Sequence, residues 1–364
     1  MTTDHPSTNA CSRLTKPVAP IAVMGLALTL AVTSPAWSAE ELNVLAWCDH
    51  TDPATFEPFE QMHGVTVNVK EFEGTGTAMA IIEQSQPGDW DVMALDMTDI
   101  KRFVELGLFA PLNENDYPWK DMWPEIRMPE AHVFDEKLYG VPEKFGYNWI
   151  AFNNKAVDVD DMRNPSVLWD PKYKGRVALF DYYFTTIQTI AVAMGINPLE
   201  LTVEALPAIQ EKLAIMKENA AMIGDIVTIQ SALATGEVDI VIGGAEFIVS
   251  GLSDDRPDLD WVLSDAGGLR WAQSMAIFAQ SERKGLATEF LKWNVSPEGQ
   301  ALLAMSSCFW GMPVNTKAEL PAAAKKVLRW NEQEKFLATS YPYVTPSEAL
   351  DEAMIEMWAE TLQN

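Results

Sequence analysis

Leu42-Asn43-Val44-Leu45-Ala46-Trp47 is followed by a helical stretch through Phe56 and Phe59, by Gly64, and by Val65-Thr66-Val67-Asn68-Val69. Two short apolar, branched runs separated by a helix-length spacer read as strand, helix, strand. The pattern continues along the chain. Trp90-Asp91-Val92-Met93-Ala94-Leu95 reads as a third strand, and a helix is expected from about Asp99 to Leu106, stopped by Gly107. Val177-Ala178-Leu179-Phe180 and Val238-Asp239-Ile240-Val241-Ile242 are two more buried strands, the second ended by Gly243-Gly244. Strands alternating with helices place the chain in the α/β class. Two helices carry explicit start signals. Ser296-Pro297-Glu298 offers a capping hydroxyl, a proline at the first helical position and an acid in the first turn. Thr345-Pro346-Ser347-Glu348 reads as a capping box, after which Leu350, Met354, Met357 and Trp358 form an apolar stripe that packs into a core.

Outward from the strands, the first 38 residues read differently. Arg13 and Lys16 precede the apolar run Ile21–Val32, and Pro35-Ala36-Trp37-Ser38-Ala39 follows it. A basic flank, a short apolar core and small residues before a cut are the parts of a secretory signal peptide. Residues 1–38 are therefore expected to be removed after Ser38, or after Ala39 on the alternative cut, which delivers the chain to the periplasm. The apolar run is too short to span a bilayer comfortably. Cys11 lies before it and not at the cut, which argues against a lipoprotein anchor.

The remaining length suits two domains with real cores. A net charge of -26 argues against a nucleic-acid partner, whose phosphates demand a basic face. Acidity favours cationic solutes through the long-range field and equally suits a solvated acidic surface. Cys48 and Cys308 are the cysteines left after export, and in an oxidising compartment they are a disulfide candidate, with two buried free thiols as the alternative. His50, His63 and His132 are scattered and no CxxC is present, so no metal site and no cofactor are expected. G-x-S-x-G, Walker A, G-x-G-x-x-G and H-E-x-x-H are absent, which lowers an enzymatic reading. Gly74-Thr75-Gly76-Thr77 lacks the lysine of a phosphate cradle and reads as a turn, or as a loop lending amides to a ligand.

Seven segments, in order, carry a resemblance. They are Leu45-Ala46-Trp47; Asp89-Trp90-Asp91-Val92; Tyr139-Gly140-Val141-Pro142 before Trp149-Ile150-Ala151-Phe152-Asn153; Leu168-Trp169-Asp170-Pro171-Lys172-Tyr173-Lys174-Gly175; Gly236-Glu237-Val238-Asp239; Gly267-Gly268-Leu269-Arg270-Trp271; and Ser296-Pro297-Glu298-Gly299-Gln300. Together they resemble the polyamine (spermidine/putrescine)-binding branch of the extracellular solute-binding proteins of ABC importers, from about Leu42 to Asn315. The resemblance implies a two-lobed periplasmic-binding-protein fold of type II, with discontinuous lobes and a ligand cleft between them. It places crossings near Phe145, Trp271 and Val314, hence an N-terminal lobe of 39–145 plus 272–314 and a C-terminal lobe of 146–271 plus 315–364. Such lobes hinge as rigid bodies on a solute. A monomer that hands its solute to an inner-membrane ABC permease is implied, and delivery to a sensor protein is a variant of that role.

Carried over residue by residue, the resemblance assigns the pocket aromatics to Trp47, Trp271 and Phe309 or Trp310, with His50 at a further aromatic position. Aromatic faces attract cations through the ring quadrupole. Asp96, Asp181 and Glu246 are the acids placed to meet a positive nitrogen, Tyr182 falls beside Asp181, and Gln273 stands where the family has an aspartate. Lys144 and Arg270 sit beside crossings and would repel a polycation. The implied ligand is a polyamine-like small organic amine; a methylated amine, or a zwitterion whose acidic end meets Arg270 or Lys144, is the alternative. Tyr182-Tyr183 is similar in composition to the tyrosine pair of ferric-ion-binding relatives, but that pair belongs where Gly243-Gly244-Ala245-Glu246-Phe247 stand. A ferric-ion receptor and an exported amine-acting enzyme are the lesser alternatives.

Overall fold

The computed structural model of the chain describes residues 40–363, so the expected export segment and its cleavage site lie outside the described residues. β1 (Glu40–Ala46) pairs in parallel with β2 (Val65–Glu71), from Glu40 opposite Val65 to Ala46 opposite Glu71. Between them the helix Glu57–His63 buries Phe59 and ends at Gly64, whose φ of 66° closes the last turn through Gly64 N–H to Glu60 O at 2.8 Å. β3 (Val92–Asp96) lies parallel on the other side of β1, and the helix after it spans Ile100–Glu105. A small hairpin, β4 (Val133–Phe134) with β5 (Lys137–Leu138), precedes the long strand β6 (Val141–Asn153).

A second parallel group follows. β7 (Val177–Phe180) is flanked by β8 (Ala220–Gly224) and β9 (Ile240–Gly244), both parallel to it. β10 (Leu259–Val262) is antiparallel to β6, β11 (Leu269–Ile277) returns beside it, and β12 (Met312–Pro313) and β13 (Tyr341–Pro342) add short pairings. The sheet order is β2-β1-β3-β11-β6-β9-β7-β8. Two parallel β/α groups are thus joined by the antiparallel strands β11 and β6, with Ala272 and Met312 each opposite Phe145. In parallel groups of this kind ligands settle beyond the carboxyl ends of the strands, so the ends of β1, β3, β7 and β9 frame the place to look.

Burial follows from helices covering the sheet. Leu42, Val44, Leu45 and Ala46 of β1 are fully buried, as parallel strands covered on both faces are. Leu350, Met354 and Met357 are buried as the stripe predicts, with Trp358 packed against the same core. Ser296 caps the helix Pro297–Leu303, its Oγ accepting from Gly299 N–H at 3.1 Å.

Two expectations are corrected. The strand read from Val238 begins at Ile240 and runs through Gly244, because the Val238 N–H is turned back to Ala232 O at 3.3 Å, closing the preceding helix. Gly243-Gly244 therefore belong to the strand they were expected to end. The last helix starts at Glu348, not at a Thr345 cap. Ser347 performs the capping, its carbonyl accepting from Asp351 N–H at 2.9 Å, while the Thr345 hydroxyl donates to Thr98 O at 3.1 Å.

Candidate functional site

Asp96 ends β3, and Glu246 opens the turn after β9. The register sets Gln273 of β11 opposite both Asp96 and Lys144, and Trp271 opposite Gly146. Residues directly opposite share a face, so Asp96, Gln273 and Lys144 form one cross-strand row. Gly146 is required by close approach: a Cβ there would lie 1.7 Å from Glu246 Oε1 and 2.4 Å from Trp271 Cζ2. Glu246 and Trp271 therefore press on the bare backbone of β6.

Glu246 is fully buried and accepts Tyr147 N–H at 3.0 and 3.2 Å on its two oxygens. Burial pushes its carboxyl up to about 8, offset only in part by backbone N–H groups, by Lys144 and by the indole of Trp271. The Trp271 N–H leans towards Glu246 but falls outside hydrogen-bond geometry, and so counts as a buried donor without a partner. Asp96 is half-buried, with no hydrogen-bond partner for its carboxylate among the described residues. Burial, then the negative charges of Asp99 and Asp49, push it up to about 7. Burial also raises Asp99, whose Oδ2 accepts a short hydrogen bond from Thr75 Oγ1.

Aromatic residues close around these acids. Trp271 meets Phe309 edge-on at 6.0 Å and Phe247 at 6.4 Å. Tyr182, just past β7, leaves 37 % of its surface exposed, yet burial of its hydroxyl near Asp96 and Asp99 holds it above the usual phenol range. Tyr343 is buried and donates to Asn148 Oδ1; burial, Tyr182, Asp96 and Glu246 all push its hydroxyl up. Trp47 tilts against Phe72 at 4.9 Å, its buried N–H unpartnered. The Gln273 Oε1 is likewise buried without a partner.

Residues 54–331 match the family of bacterial extracellular solute-binding proteins. The chain belongs to that family. The spermidine/putrescine-binding periplasmic protein of Escherichia coli K12 is 21 % identical over 275 residues, 74 % of this chain and 77 % of that one. Among solved structures, a putative spermidine/putrescine ABC transporter from Listeria monocytogenes superposes with a TM-score of 0.73 at 21 % identity, covering 89 % of this chain and 99 % of that one. A binding protein from A. tumefaciens R10 in complex with agropinic acid gives 0.65 at 20 % identity, covering 89 % and 98 %. The α/β architecture is that of these two-lobed binding proteins.

In this solute-binding protein several residues named from the sequence lie together. Asp96 with Gln273, Glu246 with Trp271, Trp271 with Phe309, and Tyr182 near Asp96 are four such pairings. Others stand apart. His50 is 2 % exposed, its Nδ1 held to Asp49 at 2.9 Å and its Nε2 to Glu143 at 3.0 Å, so neither ring nitrogen is left for a solute. Burial opposes the charged ring, but Glu143 and Asp49 outweigh it and push its pKa up to about 10. Asp181 is exposed, with only its backbone N–H engaged, to Gly224 O at 2.9 Å. Trp310 is half-buried against the core without an aromatic neighbour among the described residues.

The two basic residues are both engaged within the chain. Lys144 is fully buried, and its ammonium donates to Asp49, Ser306 and the Phe309 carbonyl. Arg270 is 5 % exposed and donates to Leu337 O at 3.2 Å, Ser340 Oγ at 2.9 Å and Glu125 O at 3.2 Å. The Leu337 and Glu125 carbonyls, with the Ser340 hydroxyl, hold the guanidinium, and Asp49, Ser306 and the Phe309 carbonyl hold the ammonium. Cys48 and Cys308 are joined in a disulfide with Cα atoms 5.9 Å apart, one residue from Trp47 and one from Phe309. Sequence reasoning missed Tyr343 and Gly146; Tyr343 lies beyond Asn315, where the resemblance fades.

No helix among the described residues is long and apolar enough to cross a membrane.

Proposed function

We propose that the chain is the exported solute receptor of an ABC importer and captures a small organic amine in a cleft between two lobes, 39–145 plus 272–314 and 146–271 plus 315–364. One observation carries this reading: Glu246 is a fully buried and Asp96 a half-buried carboxylate, with no cationic side chain hydrogen-bonded to either among the described residues. A buried carboxylate without a counter-charge is costly, and a positive nitrogen supplied by the solute removes the cost. The aromatic surround of Trp271, Phe309, Tyr182 and Tyr343 suits the alkyl part and the charge together. The names of the relatives, which speak of spermidine and putrescine, support the same class.

A cation is favoured over a zwitterion, since Lys144 and Arg270 are engaged internally. The reading further holds that residues 1–38 are a signal peptide, that the mature protein is a periplasmic monomer serving an inner-membrane permease, and that the solute is released unchanged. Thermal unfolding with butylammonium, putrescine, spermidine, 4-aminobutanoate and butyrate tests it. Stabilisation by butylammonium and not by butyrate is expected, because a ligand specific to the folded state adds RT ln(1 + [L]/Kd). Stabilisation by butyrate and not by butylammonium would overturn the reading.

A further inference from the structure

The ammonium of Lys144 occupies a setting that a bound amine would be given. Its Nζ donates to Asp49 Oδ2 at 2.9 Å, Ser306 Oγ at 3.2 Å and Phe309 O at 2.9 Å, three acceptors for three N–H bonds. It also lies 4.4 Å from the centroid of the Phe309 ring. Carboxylate, hydroxyl, carbonyl and aromatic face together make a complete recognition site for a primary ammonium. Charge is balanced around it. The second oxygen of Asp49 takes the His50 ring, and His50 in turn meets Glu143, so two cations alternate with two carboxylates. Lys144 and His50 together outweigh the burial of Asp49 and hold its carboxyl well below the usual range.

This cage adjoins the candidate solute site. Lys144 and Asp96 both lie opposite Gln273 in the sheet. Phe309 has Lys144 over its face and Trp271 at its edge, 6.0 Å between ring centroids, so one ring serves both places. Gly311 makes room for the lysine stem: a Cβ there would come 2.8 Å from Lys144 Cε and 3.0 Å from Cγ.

We propose that Lys144 is a resident ammonium that fills, from within the chain, a subsite of Asp49, Ser306 and Phe309 fit for an amine nitrogen. The solute then brings one cationic nitrogen to Asp96 and Glu246, and the second nitrogen of a diamine is shut out. The exclusion rests on the amine reading of the neighbouring site; the cage stands on its own contacts.

Lys144→Ala removes the ammonium with its stem and leaves Asp49 a buried, half-compensated charge. Thermal unfolding of this variant is followed in propylammonium, which restores the missing atoms, and in 1-propanol, which restores only the bulk. Propylammonium is expected to raise the variant's midpoint by several degrees more than wild type's, and propanol to give much less of this difference. In Lys144→Ala with Asp49→Asn the buried charge is gone, so the chain folds without amine and the selective response vanishes. Calorimetry on Lys144→Ala should show putrescine gaining about tenfold on butylammonium relative to wild type. Equal responses of wild type and Lys144→Ala, a response above the wild-type one that survives in the double variant, or a Lys144→Ala chain that stays unfolded in propylammonium each overturn the proposal. Rescue of Lys144→Ala alongside a wild type indifferent to all amines would overturn the solute reading and keep the cage. Amine binding by wild type without rescue would do the reverse.

Discussion

Replacing Glu246 by glutamine should make the empty protein more stable in alkali and less able to bind an amine. The carboxyl is pushed from 4.5 to about 8 chiefly by burial. Between those values the folded chain keeps a proton that the unfolded chain has given up. Wild-type stability from this group is therefore present below the unfolded value and lost as pH rises through about 8. The difference of about 3.5 units corresponds to a ceiling of about 5 kcal/mol at 1.36 kcal/mol per unit. Glutamine keeps one acceptor for the Tyr147 N–H that now bonds both oxygens, and loses the other contact. A gain of about 2–4 kcal/mol at pH 9 remains after allowing about 1 kcal/mol for that hydrogen bond. Near pH 5 the carboxyl is protonated in the fold and the two proteins should differ little. Urea unfolding of the unliganded proteins at pH 5, 7 and 9 measures the trend, and calorimetry with butylammonium measures the loss of binding. A pH-independent offset, or a variant less stable than wild type at pH 9, would refute the burial argument.

Amine affinity should itself rise with pH, because Asp96 at about 7 and Glu246 at about 8 must ionise to meet a cation. Binding below those values releases protons, seen as a buffer-dependent enthalpy; a Kd flat between pH 6 and 9 counts against it. Replacing both Cys48 and Cys308 with serine opens a loop of sequence separation 260 and should cost about 2–5 kcal/mol in urea unfolding. An unchanged midpoint would mean the unfolded chain gains nothing from release. Trp271→Ala should weaken butylammonium binding by about 1–3 kcal/mol, through lost ring area and quadrupole. Unchanged affinity in a folded variant would make this indole a core residue only.

The strands that read correctly from the sequence are those with an uninterrupted apolar run. Val177–Phe180 matches its expected span, and β1, β2 and β3 differ by a residue or two at their ends. The long strand β6 was illegible as a strand, since Pro142, Glu143, Lys144 and Gly146 break every periodicity within it. Those residues are tolerated there for tertiary reasons. His50 and Asp49 compensate the Glu143–Lys144 charges, and Gly146 admits Glu246 and Trp271. Proximity of this kind links positions about a hundred residues apart and leaves no local pattern. Lys144 and Arg270 illustrate the same limit from the other side. A basic residue beside a crossing reads as a charge offered to the solute, but whether carbonyls already hold it is decided by distant chain.

The electrostatics also bear on how such a cleft opens. Asp96 comes from the first parallel group, whereas Tyr182 and Glu246 come from the second, and Tyr343 follows β13. Burial, with the negative charges of Asp99 and Asp49, already disfavours the charged form of Asp96, and the Tyr182 hydroxyl from the second group lies within its electrostatic reach. On the proposed reading, that term would favour separation of the two sides in the empty protein and would be offset by a bound cation. A ligand shifts such an equilibrium only by its difference in affinity for the two states. On the proposed reading that difference would come from the acids, while the Lys144 network keeps its charge balance within the loop after β1, β6 and the segment before β12. On the proposed amine reading, the unpaired carboxylates Asp96 and Glu246 are the groups that would respond to the solute, while the Asp49–His50–Lys144–Glu143 network is already charge-balanced without it.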